Sequence, residues 1–282
     1  MDRTGKGGQW GWQRPRGALG RQWARQWLPT ARGRQRIVAA VAAVSALLTP
    51  KFASALQCAP LEYQGIHSTI CRVDLRQDRL KLFLKDSAGM PYNFFRRVEQ
   101  SLAGVGQRLL FAMNAGMFRE DYTPVGLLVL DGQQIHRLNL ATGYGNFYLK
   151  PNGVFVLGAS GAKILETTEY RALAEPATFA TQSGPLLVHQ GQVNSNLNPQ
   201  GSSRLIRNGV GIVSANEVVF AISDDPVSFY EFASLFRDKL RCAEALYFDG
   251  NVSSLFAPTL GRNDQHVPVG PIVAVTTDNQ TR

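Results

Sequence analysis

The feature that most constrains this chain is a succession of ten short apolar runs, each four to seven residues long. They cover 69–75, 80–84, 109–113, 126–130, 153–157, 186–189, 210–213, 218–222, 245–248 and 272–275. Runs of that length, bounded by Gly, Pro, Asn and Ser, read as strands rather than helices. A tight polar turn, Ser214-Ala215-Asn216-Glu217, joins two of them and argues for antiparallel hairpins. Helical periodicity occurs in two places. Phe94, Phe95, Val98 and Leu102 make one apolar face, and Phe229, Phe232, Ala233, Phe236 and Leu240 make another. Many strands and few helices imply an α+β fold, a mixed and largely antiparallel curved sheet with a few packed helices. Residues 56–282 contain no linker or repeat, and fit one domain or two closely packed lobes.

The net charge of +9 belongs to the first 55 residues. They hold ten Lys and Arg against one acid, Asp2, so the rest of the chain keeps twenty of each sign. A neutral body has no charge excess to displace counterions from a phosphate backbone, which argues against nucleic acid. The N-terminal segment itself reads as an export leader, because a basic stretch precedes the unbroken small and apolar run IVAAVAAVSALL. Ala53-Ser54-Ala55, a small-x-small cleavage pattern, follows it. The run is shorter than the about 20 residues that span a bilayer, so no stable membrane insertion is expected after cleavage. These features place the body, 56–282, in the periplasm or outside the cell.

Export permits a disulfide. Of Cys58, Cys71 and Cys242, the first two are close in sequence and Cys71 lies in a strand-like run, so they are the favoured pair. Cys242 is then a buried thiol at a helix end. The four His are too scattered for a metal motif. Asp224-Asp225 could hold a hard cation, but no regular ligand spacing supports one. No cofactor is expected.

Five polar, Gly-containing islands interrupt the apolar runs: Asn114–Phe118, Lys150–Gly153, Thr181–Pro185, Arg207–Gly211 and Asp249–Ser254. Taken singly, each fits an ordinary turn. Taken together, they place amides, hydroxyls, a guanidinium and a carboxylate at the ends of buried runs, where they could converge on one pocket. Ala243–Leu255 carries the sharpest version, a buried run ending abruptly in Asp249-Gly250 with Ser253 and Ser254 beyond.

The same stretches carry a family likeness. FAMNAGMF from Phe111, PVGLLV from Pro124, GNFYLKPNGVF from Gly145, ATQSGPLLV from Ala180, RNGVGI from Arg207, AISDDPVSFYEFASLF from Ala221 and ALYFDGNVSSL from Ala245 follow in order. The chain resembles the phosphodiester glycosidase family over about 58–275, and is most similar to its exported bacterial members without assigned substrates. Asn251 stands where many relatives have a second Gly.

The resemblance implies hydrolysis of a sugar-1-phosphodiester to free sugar and phosphomonoester. A phosphate leaving group is a weak base and needs less general-acid help than an alcohol. The site must instead supply an anion cradle and a carboxylate near the anomeric carbon. Asp249, Asn114, Arg207 and Ser183 are the expected catalytic residues. Arg204, Gly184, Asn208, Gly209, Asp224, Asp225, Ser253 and Ser254 are expected to bind substrate, with Arg offering a fork suited to phosphate. Two other functions remain open, a non-catalytic glycan-binding or envelope-associated domain and a phosphodiesterase cutting the P–O bond. The clustered Asp249, Arg207, Asn114 and Ser183, and the lack of Trp beyond the leader, favour an enzyme over a sugar-stacking module.

The leader reading predicts a soluble exported protein beginning near Leu56. N-terminal sequencing of the exported form checks this, and a membrane-bound species retaining Arg36 would show that the apolar run is an anchor.

Overall fold

A computed structural model describes residues 55–173 and 175–277; all of the leader expected from the sequence except its last residue, Ala55, lies outside them. All ten expected strands are present, in three sheets whose strand pairs are all antiparallel. The largest has seven strands, in the order Gln57–Tyr63, Ile66–Asp74, Glu217–Ser223, Asn208–Ser214, Glu244–Asp249, Leu186–His189 and Gln192–Val193. The second runs Arg262–Asn263, Leu255–Ala257, Leu109–Asn114, Ile272–Thr276 and Arg79–Phe83. The third runs Gln133–His136, Leu128–Leu130, Phe179–Ser183, Gly153–Gly158 and Gly161–Glu166.

Central strands of the large sheet are continuously apolar because both faces are covered. In Glu217–Ser223 the side chains alternate, with Val218, Phe220 and Ile222 entering a core shared by all three sheets. Val219 and Ala221 enter a second cluster beneath Phe232 and Phe236. This is the two-residue period of a strand applied to two cores. Phe220 marks the junction, its ring centroid 5.0 Å from Phe111 of the second sheet and 6.2 Å from Phe155 of the third. Aromatic contacts at these separations add to the burial of the rings themselves.

Both expected helices form. Phe95–Ala103 buries Phe95, Val98 and Leu102, while Phe94 sits just before it in extended conformation. The second starts at Ser228, whose side chain accepts from the Glu231 amide while Glu231 reaches back to the Ser228 amide. This reciprocal cap satisfies two donors that a helix start leaves unpaired. After Phe229–Ser234 the helix widens into a π turn over Leu235–Lys239.

The strands not foreseen are polar or short. Gln57–Tyr63 contains Pro60, which a sheet tolerates because this strand is at the edge. Phe179–Ser183 was expected to be partly turn, since Thr181, Gln182 and Ser183 are polar. It is a wholly buried strand in which each polar side chain is bonded. The Thr181 hydroxyl donates to Ala115 O at 2.7 Å, and Ser183 Oγ donates to Phe248 O at 3.0 Å. Gln182 accepts from Leu127 N and Asn139 N at 3.0 and 2.9 Å. Buried polar groups persist when so partnered.

The expected Cys58–Cys71 disulfide is present, joining residues directly opposed across the first hairpin. Cys242 is a buried free thiol, and burial pushes its pKa up to about 12. Peptide mapping without reductant should link Cys58 to Cys71. The folded protein should resist alkylation at pH 8, with one thiol per chain becoming reactive in urea. A Cys71–Cys242 link would overturn this pairing.

Candidate active site

Two crossings between sheets, after Asn114 and after Asp249, meet at the end of Glu244–Asp249. Asn114 closes its strand in the second sheet and Asn208 opens its strand in the first, and both are fully buried. Asn208 Nδ2 donates to Asn114 O at 2.8 Å and to Asn114 Oδ1 at 3.0 Å. Asn114 Oδ1 also accepts from Ser254 N at 2.9 Å, and Asn208 Oδ1 accepts from Asp249 N at 3.1 Å. Ser253 Oγ donates to Ile206 O at 2.9 Å and Asp249 O at 3.0 Å. The two amides therefore stitch two sheets together and pin both ends of the Asp249–Ser254 turn.

Asp249 is 8% exposed. Its Oδ1 accepts from Gly250 N at 2.6 Å and Asn251 N at 2.7 Å. Desolvation raises its pKa above the ordinary carboxylate value, against the opposing pull of the amides of Asn251, Gly250 and Val252. Under the turn lies Tyr247, whose hydroxyl receives Arg207 Nη1 at 3.3 Å. A Cβ on Gly250 would run into that hydroxyl, itself held by Arg207, which favours glycine here.

Asp249 lines a cleft of about 570 Å³. One wall is the loop after Asn114, with Phe118 and Arg119; the other holds Tyr144, Asn146 and Tyr148. Phe118 stacks on Tyr122 at 5.7 Å, and Arg119 N bonds Thr123 O at 2.9 Å, which keeps the first wall compact. The second is braced by Asn152, whose Nδ2 donates to Phe147 O at 3.0 Å and whose Oδ1 accepts from Thr167 Oγ1 at 2.8 Å. Tyr144 is fully exposed at the rim.

Of the residues expected to form the site, Asp249 alone lines this cleft. Asn114, Asn208, Ser183 and Ser254 are buried behind it, and Ser253 is partly buried; all five are bonded within the protein. Arg207 does not present a free fork. It is fully buried, with Nε on Val227 O at 2.8 Å, Nη2 on Ser203 O at 3.0 Å and its guanidinium 3.7 Å from the Phe229 ring centre. Gly209 is paired in the ladder between Ala221 and Tyr247, and Gly184 packs against Asn152 and Phe147, so neither opens its backbone to an anion. Arg204 pairs with Glu231 at 2.9 Å. Asp224 meets Arg262 and Thr69, while Asp225 meets His67 at 2.9 Å, so these two carboxylates face different partners. The walls carrying Arg119, Tyr144, Asn146 and Tyr148 went unassigned in the sequence, although Asn146 and Tyr148 lie within the GNFYLKPNGVF motif.

This fold and cleft belong to a hydrolase of the phosphodiester glycosidase type. The sequence pattern of the family "Phosphodiester glycosidase" matches residues 107–276, which hold the whole cleft, and the chain is a member of that family. It is 34% identical over 209 residues to the uncharacterized protein YigE of Escherichia coli (strain K12), covering 74% of this chain and 82% of that one. The catalytic domain of zebrafish N-acetylglucosamine-1-phosphodiester alpha-N-acetylglucosaminidase, auto-inhibited by its pro-peptide, has a similar fold. It superposes with a TM-score of 0.53 at 13% identity, covering 79% of this chain and 82% of that chain.

Proposed function

We propose that the protein is an exported hydrolase that cleaves a sugar-1-phosphodiester at the glycosidic bond. The observation that carries this reading is charge placement. Among the described residues lining the cleft, Asp249 is the one carboxylate and Arg119 the one cation. In this reading Arg119 holds the phosphate and the sugar lies against the aromatic wall. Water attacks the anomeric carbon, the C–O bond breaks, and its electron pair leaves with the phosphomonoester. Asp249 takes the water proton; its raised pKa makes it a stronger base than an ordinary exposed carboxylate. Asn114, Asn208 and Ser183 act by holding the Asp249 strand and turn, and Arg207 acts as a positioning residue through Tyr247. The exposed Tyr144 and the neighbouring Tyr148 answer the absence of Trp, since a Tyr face also stacks on a sugar ring.

Turnover of a panel of sugar-1-phosphodiesters in ¹⁸O-labelled water tests the reaction. Label in the sugar supports glycosidic cleavage, label in the phosphate indicates P–O cleavage, and no turnover across the panel favours a binding domain.

Asp249→Asn keeps the acceptor for Gly250 N and Asn251 N and removes the charge. Turnover should fall at least ~100-fold, the scale of losing acid–base help. Stability gives an independent check. A carboxyl whose folded pKa lies above its unfolded value of about 3.9 binds its proton more tightly when folded. Stability is therefore lost as pH rises from the unfolded through the folded value. Asp249→Asn should lack that loss and melt no lower than the parent at pH 7; normal turnover would refute the assignment.

Arg119→Ala should raise KM about tenfold or more with a smaller change in kcat, the scale of one charge-assisted hydrogen bond to phosphate. Arg119→Lys should recover part of the loss, because a point charge replaces a planar fork. An unchanged KM in Arg119→Ala would move the phosphate elsewhere.

A further inference from the structure

The turn between Ile66–Asp74 and Arg79–Phe83 carries a carboxylate that is 3% exposed, Asp78. Its Oδ2 accepts from Asp74 N at 2.9 Å. Its Oδ1 faces the N-terminal edge of the body, accepting from Ala55 N at 3.0 Å and Leu56 N at 3.3 Å. Leu56 N is the nitrogen of the bond that the Ala53-Ser54-Ala55 pattern marks for cleavage, and Ala55 N belongs to the peptide bond before it.

We propose that Asp78 is a binding site for a primary ammonium group, the α-ammonium that leader removal creates at the start of this chain's own body. The inference rests on the export reading. An endopeptidase and one water would break the peptide bond, the carboxyl group leaving with the leader and the nitrogen remaining on the body. That nitrogen changes from a neutral donor with one hydrogen to a cation with three. It is already within hydrogen-bond distance of the carboxylate. Cleavage on either side of Ala55 gives the same result, since both nitrogens reach Oδ1. The carboxylate already charges this hydrogen bond on its acceptor side; an ammonium donor adds the attraction of a second, opposite charge, which is larger for a partner removed from water. Leu56 packs against the main core and Cys58 is tied to Cys71, so the new terminus has little freedom to leave.

Two sets of charges adjoin the site, and Arg79, Lys81 and Asp131 share one groove with Asp78. Ala55 shares a groove with Arg72, Asp74, Arg76 and Glu217. Arg72 pairs with Glu217 at 2.9 Å and Arg76 with Asp74 at 2.6 Å. Processing would thus add a charged tie just before Gln57–Tyr63, the edge strand of the large sheet, which the unprocessed chain lacks.

The test uses the full chain, exported and purified after processing. Its first residue is sequenced, and the pH dependence of α-amine acylation is followed by mass spectrometry, folded and in urea. In urea the amine should titrate at its ordinary value of about 7.7–8.0, and in the folded protein at least about one unit higher. Asp78→Asn should abolish the difference. A group whose folded pKa is raised contributes stability below its unfolded pKa, which is lost as pH rises through the folded value. The processed chain should therefore melt above the uncleaved chain at pH 7, and this gap should close at alkaline pH. A first residue other than 55 or 56 overturns both the processing reading and the ammonium site. The correct first residue with the same amine titration folded and in urea overturns the ammonium site alone, without recourse to a variant.

Discussion

The paired amides of Asn114 and Asn208 are the contact on which the rest of the molecule depends. Two sheets that share an apolar core could slide against one another, because apolar packing has no direction. An amide pair does. Asn208 Nδ2 must reach Asn114 O and Oδ1, and their remaining acceptors must meet Ser254 N and Asp249 N. Each buried amide left without partners would cost about 1–3 kcal/mol, so one relative placement of the sheets is strongly favoured. That placement fixes where the Asp249 turn emerges.

The same economy of partners explains why so much polarity lies inside. Thr181, Gln182 and Ser183 occupy a strand that is buried along its whole length, yet each side chain finds a specific backbone atom of a neighbouring segment. Arg207 extends this to a cation. Burial lowers its pKa, while aromatic faces and backbone carbonyls replace the water it has lost. The site's surface chemistry is thus narrow, with Asp249 and Arg119 in the cleft and a buried polar frame behind them.

The ten apolar strands and both helices were legible because their signals are local. Val218–Ile222 reads as apolar from its own residues, and Phe232 with Phe236 declares a helix face. Asp249 was legible for a similar reason, since a carboxylate ending the run Ala245–Phe248 is conspicuous. Asn114, Ser183 and Arg207 were visible as polar interruptions, but their direction was not. A polar residue at the end of a buried run can face a ligand or a neighbouring strand, and pairing across more than ninety residues decides which, as for Asn114 and Asn208. Arg119 and Tyr144 lie in loops with no periodic signal, and only the meeting of distant crossings makes them neighbours.

The cleft's walls are two crossings from one sheet to another and one loop within a sheet. The Phe118–Arg119 wall links the second and third sheets, Tyr144–Tyr148 joins two strands of the third, and Asp249–Val252 leads from the first to the second. A molecule seated there is held by all three sheets at once, so its binding energy opposes unfolding of the whole body rather than of one loop. A ligand at about a hundred times its dissociation constant adds about 2.7 kcal/mol to the stability of what it binds. The melting transition is accordingly a readout of occupancy that requires no turnover, and compound libraries of sugar phosphates can be sorted by heat before any product is sought.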